Sequence, residues 1–135
     1  MIEKLKEMQK NCYVPISNFR VSCCVVTKDD KCYYGVNVED SSTRAGSCAE
    51  RVALFNAITA GVKKEDIKEV HVLTSSKRVG TPCFVCRQMF TEYLEDNCKI
   101  ICYSLDGEKK EFTKEELCPY PFEEEDLQWN VVLLV

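Results

Sequence analysis

Two short segments hold the residue types most able to do chemistry together: Cys48-Ala49-Glu50-Arg51 and Pro82-Cys83-Phe84-Val85-Cys86-Arg87. Each opens a stretch patterned like a helix, and a helix N-terminus offers free N–H groups and a partial positive charge that favour thiolates. Thiolates of Cys48, Cys83 and Cys86 would bind one Zn²⁺ per chain and leave a tetrahedral position open for water, the arrangement of a catalytic zinc site. Glu50, two residues past the first of these sulfurs, is the candidate to take a proton from that water and return it as an acid. Three thiolates around one Zn²⁺ leave an excess negative charge that blunts its Lewis acidity. Arg51 stands three residues after Cys48, and Arg87 four after Cys83. These spacings put a guanidinium beside a ligand on one helix face, so both arginines are expected to donate hydrogen bonds to the thiolates.

Each of these residues also has a plainer reading. Ser47 and Glu50 have capping-box spacing. A C-x-x-C at a helix start suits a thiol oxidoreductase, although that leaves Cys48 and Glu50 without a task. A structural zinc module with no turnover needs a fourth protein ligand, for which Cys23 or Cys24 are the candidates. Cys12, Cys23, Cys24, Cys32, Cys98, Cys102 and Cys118 read most simply as buried thiols. His71, in the middle of a V-H-V-L run, reads as a strand residue rather than a ligand.

Composition narrows the setting. The chain has 135 residues, ten of them Cys, and its first ten, MIEKLKEMQK, lack the apolar core of a signal peptide. The expected compartment is a reducing cytoplasm, where cysteines serve packing, metal binding or redox chemistry rather than a disulfide framework. With 18 basic and 22 acidic residues the formal charge is −4, which gives no general attraction to nucleic acid or to anionic membranes. No apolar run approaches the roughly 18 residues of a membrane span. The length fits one domain over residues 1–135, and a hydrophobic share of 45% is ordinary for a globular chain.

The elements that must position the two segments can be read from pattern. Ile2, Leu5 and Met8 space an amphipathic helix over residues 2–10. Residues 19–27 and 32–38 form a predicted hairpin around the turn 28–31. A helix is expected over 48–60, its core face marked by Val52, Phe55 and Ile58 together with Leu54, and its end by Gly61. A buried strand follows at 69–75. A second helix is expected at 83–95, with Thr81 as cap and Pro82 in the first turn. A strand at 98–104, a short strand at 110–113 and a capping box from Thr113 to Glu116 complete the pattern. The acidic run from Glu123 to Asp126 reads as a solvated helix start, and the apolar tail from Trp129 to Val135 as an edge strand or part of a subunit interface. The order predicts an α/β domain: a three-layer α/β/α sandwich around a mixed central sheet.

C-A-E followed by P-C-x-x-C resembles the H-x-E…P-C-x-x-C signature of zinc nucleobase deaminases, with Cys48 in place of the His. From about Cys12 to Leu127 the chain is similar to the small homotetrameric cytidine deaminases of pyrimidine salvage. Phe19-x-Val21 resembles that family's F-x-V-G-A strand. Gly35-Val36-Asn37-Val38-Glu39 resembles its G-x-N-x-E segment, whose Asn and Glu bind the ribose hydroxyls. Leu117-x-Pro119-x-x-Phe122 resembles a segment whose Phe packs on the base from a neighbouring subunit. The resemblance implies zinc-dependent hydrolytic deamination of cytidine and deoxycytidine, a homotetramer, and substrate contacts from Phe19, Asn37, Glu39, Ala49, Thr81 and Phe122. Departures stand at Ser22-Cys23 and at Phe84-Val85, where the family often has Gly-Ala, and at Asp40 and Thr43-Arg44. A deaminase of a modified cytosine nucleoside such as blasticidin S ranks behind cytidine, and an editor of nucleic acid lower still, because no basic stripe is present.

Overall fold

The computed structural model describes residues 1–127. Five strands form one mixed sheet in the order β2-β1-β3-β4-β5, with β1 at Val21–Thr27, β2 at Cys32–Val36, β3 at Ile67–Thr74, β4 at Lys99–Tyr103 and β5 at Lys109–Thr113. The β1–β2, β1–β3 and β4–β5 pairs are antiparallel, and β3–β4 is parallel. A parallel pair needs a crossover, which α3 at Phe84–Tyr93 supplies. Helix α1 at Ile2–Met8 covers one face of the sheet, where Leu5 packs with Cys24, Leu73 and Ile101. Helix α2 at Ala49–Thr59 and α3 cover the other, where Val25, Val70, Val72, Leu54, Phe90 and Ile100 make the larger core. The expected three layers are present. Their unequal cores follow from one short helix on the first face and two longer ones on the second.

Local signals in the sequence explain several boundaries. Gly61 takes a φ of +88° just past α2 and donates to the Ile58 carbonyl, the left-handed stop that glycine allows. Helix α4 at Lys114–Leu117 starts at Thr113, whose hydroxyl accepts from the Glu116 N–H while Glu116 accepts from the Thr113 N–H, which is the capping box. His71 is a buried strand residue held by the Tyr103 hydroxyl and the Glu69 carboxylate, each at 2.9 Å. The run Glu124–Leu127 is a short, exposed 3₁₀ turn. The tail from Trp129 to Val135 lies outside the described residues. No helix among the described residues is long and apolar enough to cross a membrane.

Three expectations need correction. The buried face of α2 is Ala49, Ala53, Leu54 and Ala57, while Phe55 is 44% exposed and Val52 and Ile58 are only half-buried. Small residues face the sheet because α2 lies directly on Gly35 of β2, where an added Cβ would overlap the backbone of Ala49 and Ala53. Cys32 is exposed, because it begins the edge strand β2 beside the hairpin turn. The cap of α3 is Cys83 rather than Thr81. The close approach over Gly35 yields a prediction: Gly35→Ala forces α2 off the sheet and lowers stability by about 3 kcal/mol, read as a lower urea midpoint. An unchanged midpoint would show that the contact is loose.

Candidate active site

The N-termini of α2 and α3 meet beside Val21 at the start of β1 and Thr74 at the end of β3. Cys48 caps α2 and Cys83 caps α3, both with extended backbone and neither with a side-chain capping bond, so the first-turn N–H groups remain available to charge gathered there. The plainer capping role for Ser47 is not realised, since its hydroxyl donates to the Cys48 carbonyl. Cys86, in the first turn of α3, is fully buried. The sulfurs of Cys48, Cys83 and Cys86 lie within 4.8 Å of one another, with Cys48–Cys83 at 3.7 Å and Cys83–Cys86 at 3.6 Å.

Those separations fit zinc. Tetrahedral thiolates at the usual Zn–S length stand about 3.8 Å apart. Contact with the Cys86 thiol, together with the Arg51 guanidinium, holds Cys48 down at about 5, and the same contact with burial pushes Cys86 up. The cluster therefore already favours a thiolate. Among the described residues no fourth His, Cys, Asp or Glu joins the three. Cys23 is packed in the core beneath α2 and Cys24 faces α1, so neither supplies the fourth ligand that a structural zinc module needs. These three sulfurs are placed to hold one metal ion.

Glu50 is 5% exposed, and burial, reinforced by the charge of Cys48, raises its carboxyl to about 7. It lines a cavity of about 520 Å³ with Phe19, Asn37, Ala49, Thr81 and Cys83. A neighbouring depression of about 250 Å³ shares Asn37 and Cys48 and extends to Glu39 and Arg51. The fold thus gathers most of the expected substrate residues into one cleft.

Local bonds aim them. The Asn37 Oδ1 accepts from the Val21 N–H and its Nδ2 donates to the Phe19 carbonyl, which joins β2 to the approach to β1 and leaves one N–H and one lone pair for a ligand. The Glu39 Oε1 accepts from the N–H groups of Ile16 and Ser17, which hold its carboxyl below the usual range. Arg51 donates from Nη2 to the Cys48 sulfur at 3.9 Å, as expected for a partner to the thiolates, and its buried Nε has no partner among the described residues.

Two residues stand elsewhere. Arg87 makes its side-chain hydrogen bonds to the Pro82 carbonyl, the Leu117 carbonyl and the Thr81 hydroxyl, and not to sulfur. It reaches back over the start of α3 to the oxygens of Thr81 and Pro82. Phe122 is 53% exposed and outside the cavity of its own chain, its carbonyl taking a bond from Gln88. Sequence reasoning missed Ser76 and Arg78, which line the cavity from the loop after β3. Their only signal was position, between a strand and the P-C-x-x-C segment.

Comparison with known proteins agrees with this geometry. A cytidine deaminase of Mycoplasma genitalium is 35% identical over 117 residues, 87% of this chain and 88% of its own length. The crystal structure of cytidine deaminase from Burkholderia pseudomallei superposes with a TM-score of 0.85 at 32% identity, covering 90% of this chain and 95% of that one. A blasticidin-S deaminase of Bacillus cereus is 29% identical over 76% of each chain. Residues 1–102 match the profile of the cytidine and deoxycytidylate deaminase zinc-binding region. That match spans both cysteine segments, and the chain belongs to the cytidine and deoxycytidylate deaminase zinc-binding family.

Proposed function

We propose that the protein hydrolyses cytidine and deoxycytidine to uridine and deoxyuridine with release of ammonia, in pyrimidine salvage. The observation that carries this reading is a buried Glu50 beside three clustered sulfurs in a cavity of about 520 Å³ that Asn37 also lines. Cys48, Cys83 and Cys86 hold the zinc, which when bound supplies the Lewis acidity that makes a water molecule acidic at neutral pH. Glu50 takes a proton from the attacking water as its oxygen bonds to C4 of the base. The same carboxyl delivers that proton to N3, then takes the remaining proton from the new C4 hydroxyl and passes it to the departing amine, so that C4 keeps the oxygen and loses ammonia. A carboxyl near 7 can hold or release that proton at little cost.

Phe19 offers a ring face to the base. The backbone at Ala49 and Thr81 orients its edge. The free N–H and lone pair of Asn37, together with the second oxygen of Glu39, meet the ribose hydroxyls. Arg51 offsets the thiolate charge. Phe122 acts on the cavity of a neighbouring subunit in a homotetramer. The exposed apolar side chains of Phe55, Val85 and Phe122 support such association. The cytoplasm is the matching compartment.

The test follows ultraviolet absorbance of cytidine with purified protein, with and without a chelator. Loss of the cytidine band that the chelator stops is the expected result. Turnover of blasticidin S in preference to cytidine would move the assignment to the modified nucleoside. Analytical ultracentrifugation should find four copies together, and a monomer that is fully active would remove Phe122 from the site.

A further inference from the structure

We propose that Arg87 is a positioning residue for the two zinc ligands on α3, and that Phe84 is the clamp that keeps it in place. Helix α3 starts at Cys83 with no side-chain cap, and the chain enters it through Thr81-Pro82, where Pro82 has no N–H to anchor the turn. Arg87 compensates from inside the helix. Its Nε donates to the Pro82 carbonyl at 2.8 Å, its Nη2 to the Thr81 hydroxyl at 2.9 Å, and its Nη1 to the Leu117 carbonyl at 3.1 Å. One planar fork thus ties the residues just before Cys83 to the end of α4, while the Arg87 backbone N–H holds the Cys83 carbonyl. Cys83 and Cys86 both lie within the span closed by these bonds.

The Phe84 ring lies 4.4 Å from the guanidinium carbon of Arg87, although the residue is 76% exposed. An aromatic ring left this far in water has little packing reason to stand there. Stacked on a guanidinium it gains a cation–π contact, and it restricts the fork to the orientation its three acceptors require. The role is geometric. An ammonium carries the same charge but cannot present three fixed donors in a plane, and the donors of Arg87 reach oxygen rather than sulfur. The inference rests on the zinc reading of the cluster and not on which nucleoside is turned over.

Zinc-loaded protein is challenged with excess EDTA and the release of zinc is followed without substrate. Groups that orient metal ligands typically change metal affinity by about 10–100-fold, so Arg87→Ala is expected to release zinc faster by that order. Arg87→Lys should behave like Arg87→Ala, and Phe84→Ala should speed release several-fold, with Phe84→Leu no better. Because Thr81 lines the cavity, KM for cytidine should also rise more than kcat falls in Arg87→Ala. Zinc release from Arg87→Lys at the unmodified rate would make charge the role and overturn the proposal. If Arg87→Ala does not fold, Phe84→Ala decides at an exposed position, and release at the unmodified rate overturns the clamp. Absence of cytidine turnover in the unmodified protein would end the functional proposal but leave the zinc-release test intact.

Discussion

Glu50→Gln lowers kcat for cytidine by about 10²–10⁴-fold, the usual contribution of a positioned acid–base group, while zinc content stays near one per chain. The substitution keeps shape and hydrogen-bonding capacity but removes the group that carries the proton. It also removes an ionisable carboxyl from a site that is 5% exposed, where burial works against the charged form. The variant is therefore expected to unfold at the same or a slightly higher temperature, a small stability gain at the expense of function. Zinc analysis, thermal unfolding and the ultraviolet assay together separate this outcome from simple misfolding. Full activity in Glu50→Gln would remove the carboxyl from the mechanism, and loss of zinc would recast Glu50 as a support for the cluster.

The second large effect is loss of the metal through a single ligand. Cys86→Ala leaves two sulfurs of three and is expected to purify with little zinc and to turn over cytidine at background. The informative control is Cys102→Ala. Cys102 is equally buried, on β4 beneath the same helices, yet it lies outside the three-sulfur cluster. It should keep its zinc, so that the pair separates ligand thiols from packing thiols. The same ligation carries a pH dependence of known sign. Thiols must lose their protons to bind zinc, so retention weakens as pH falls and protons compete for sulfur. A zinc content that is independent of Cys86 would return that residue to the core.

Both cases could be read from the chain. Cys48, Glu50 and Arg51 lie within one helical turn, as do Cys83 and Cys86, so local spacing already placed each set at one helix start. The strands and helices were legible for the same reason, since each carries its own period and stop signals, such as Gly61 and the Thr113–Glu116 box. The face of α2 was not. Val52, Phe55 and Ile58 have the larger apolar side chains, and a pattern alone assigns the core to them. Only the approach of the helix to Gly35 turns the alanine side inward. Arg87 was misread on similar grounds. Its spacing from Cys83 was right for a thiolate partner, but a long side chain goes to the acceptors that the tertiary fold provides, here from Pro82, Thr81 and Leu117.

By itself the amino-acid sequence determined the chemistry: which residues can ligate zinc, which can move a proton, and which elements carry them, because each depends on groups a few residues apart. The tertiary structure decided how the two helix starts converge, at a Cys48–Cys83 sulfur separation of 3.7 Å. It also decided which surface of α2 is core, and that Ser76 and Arg78 border the cavity. These are relations between residues distant in the chain. They are settled by how closely helix backbones can approach the sheet, a steric quantity that no local spacing contains.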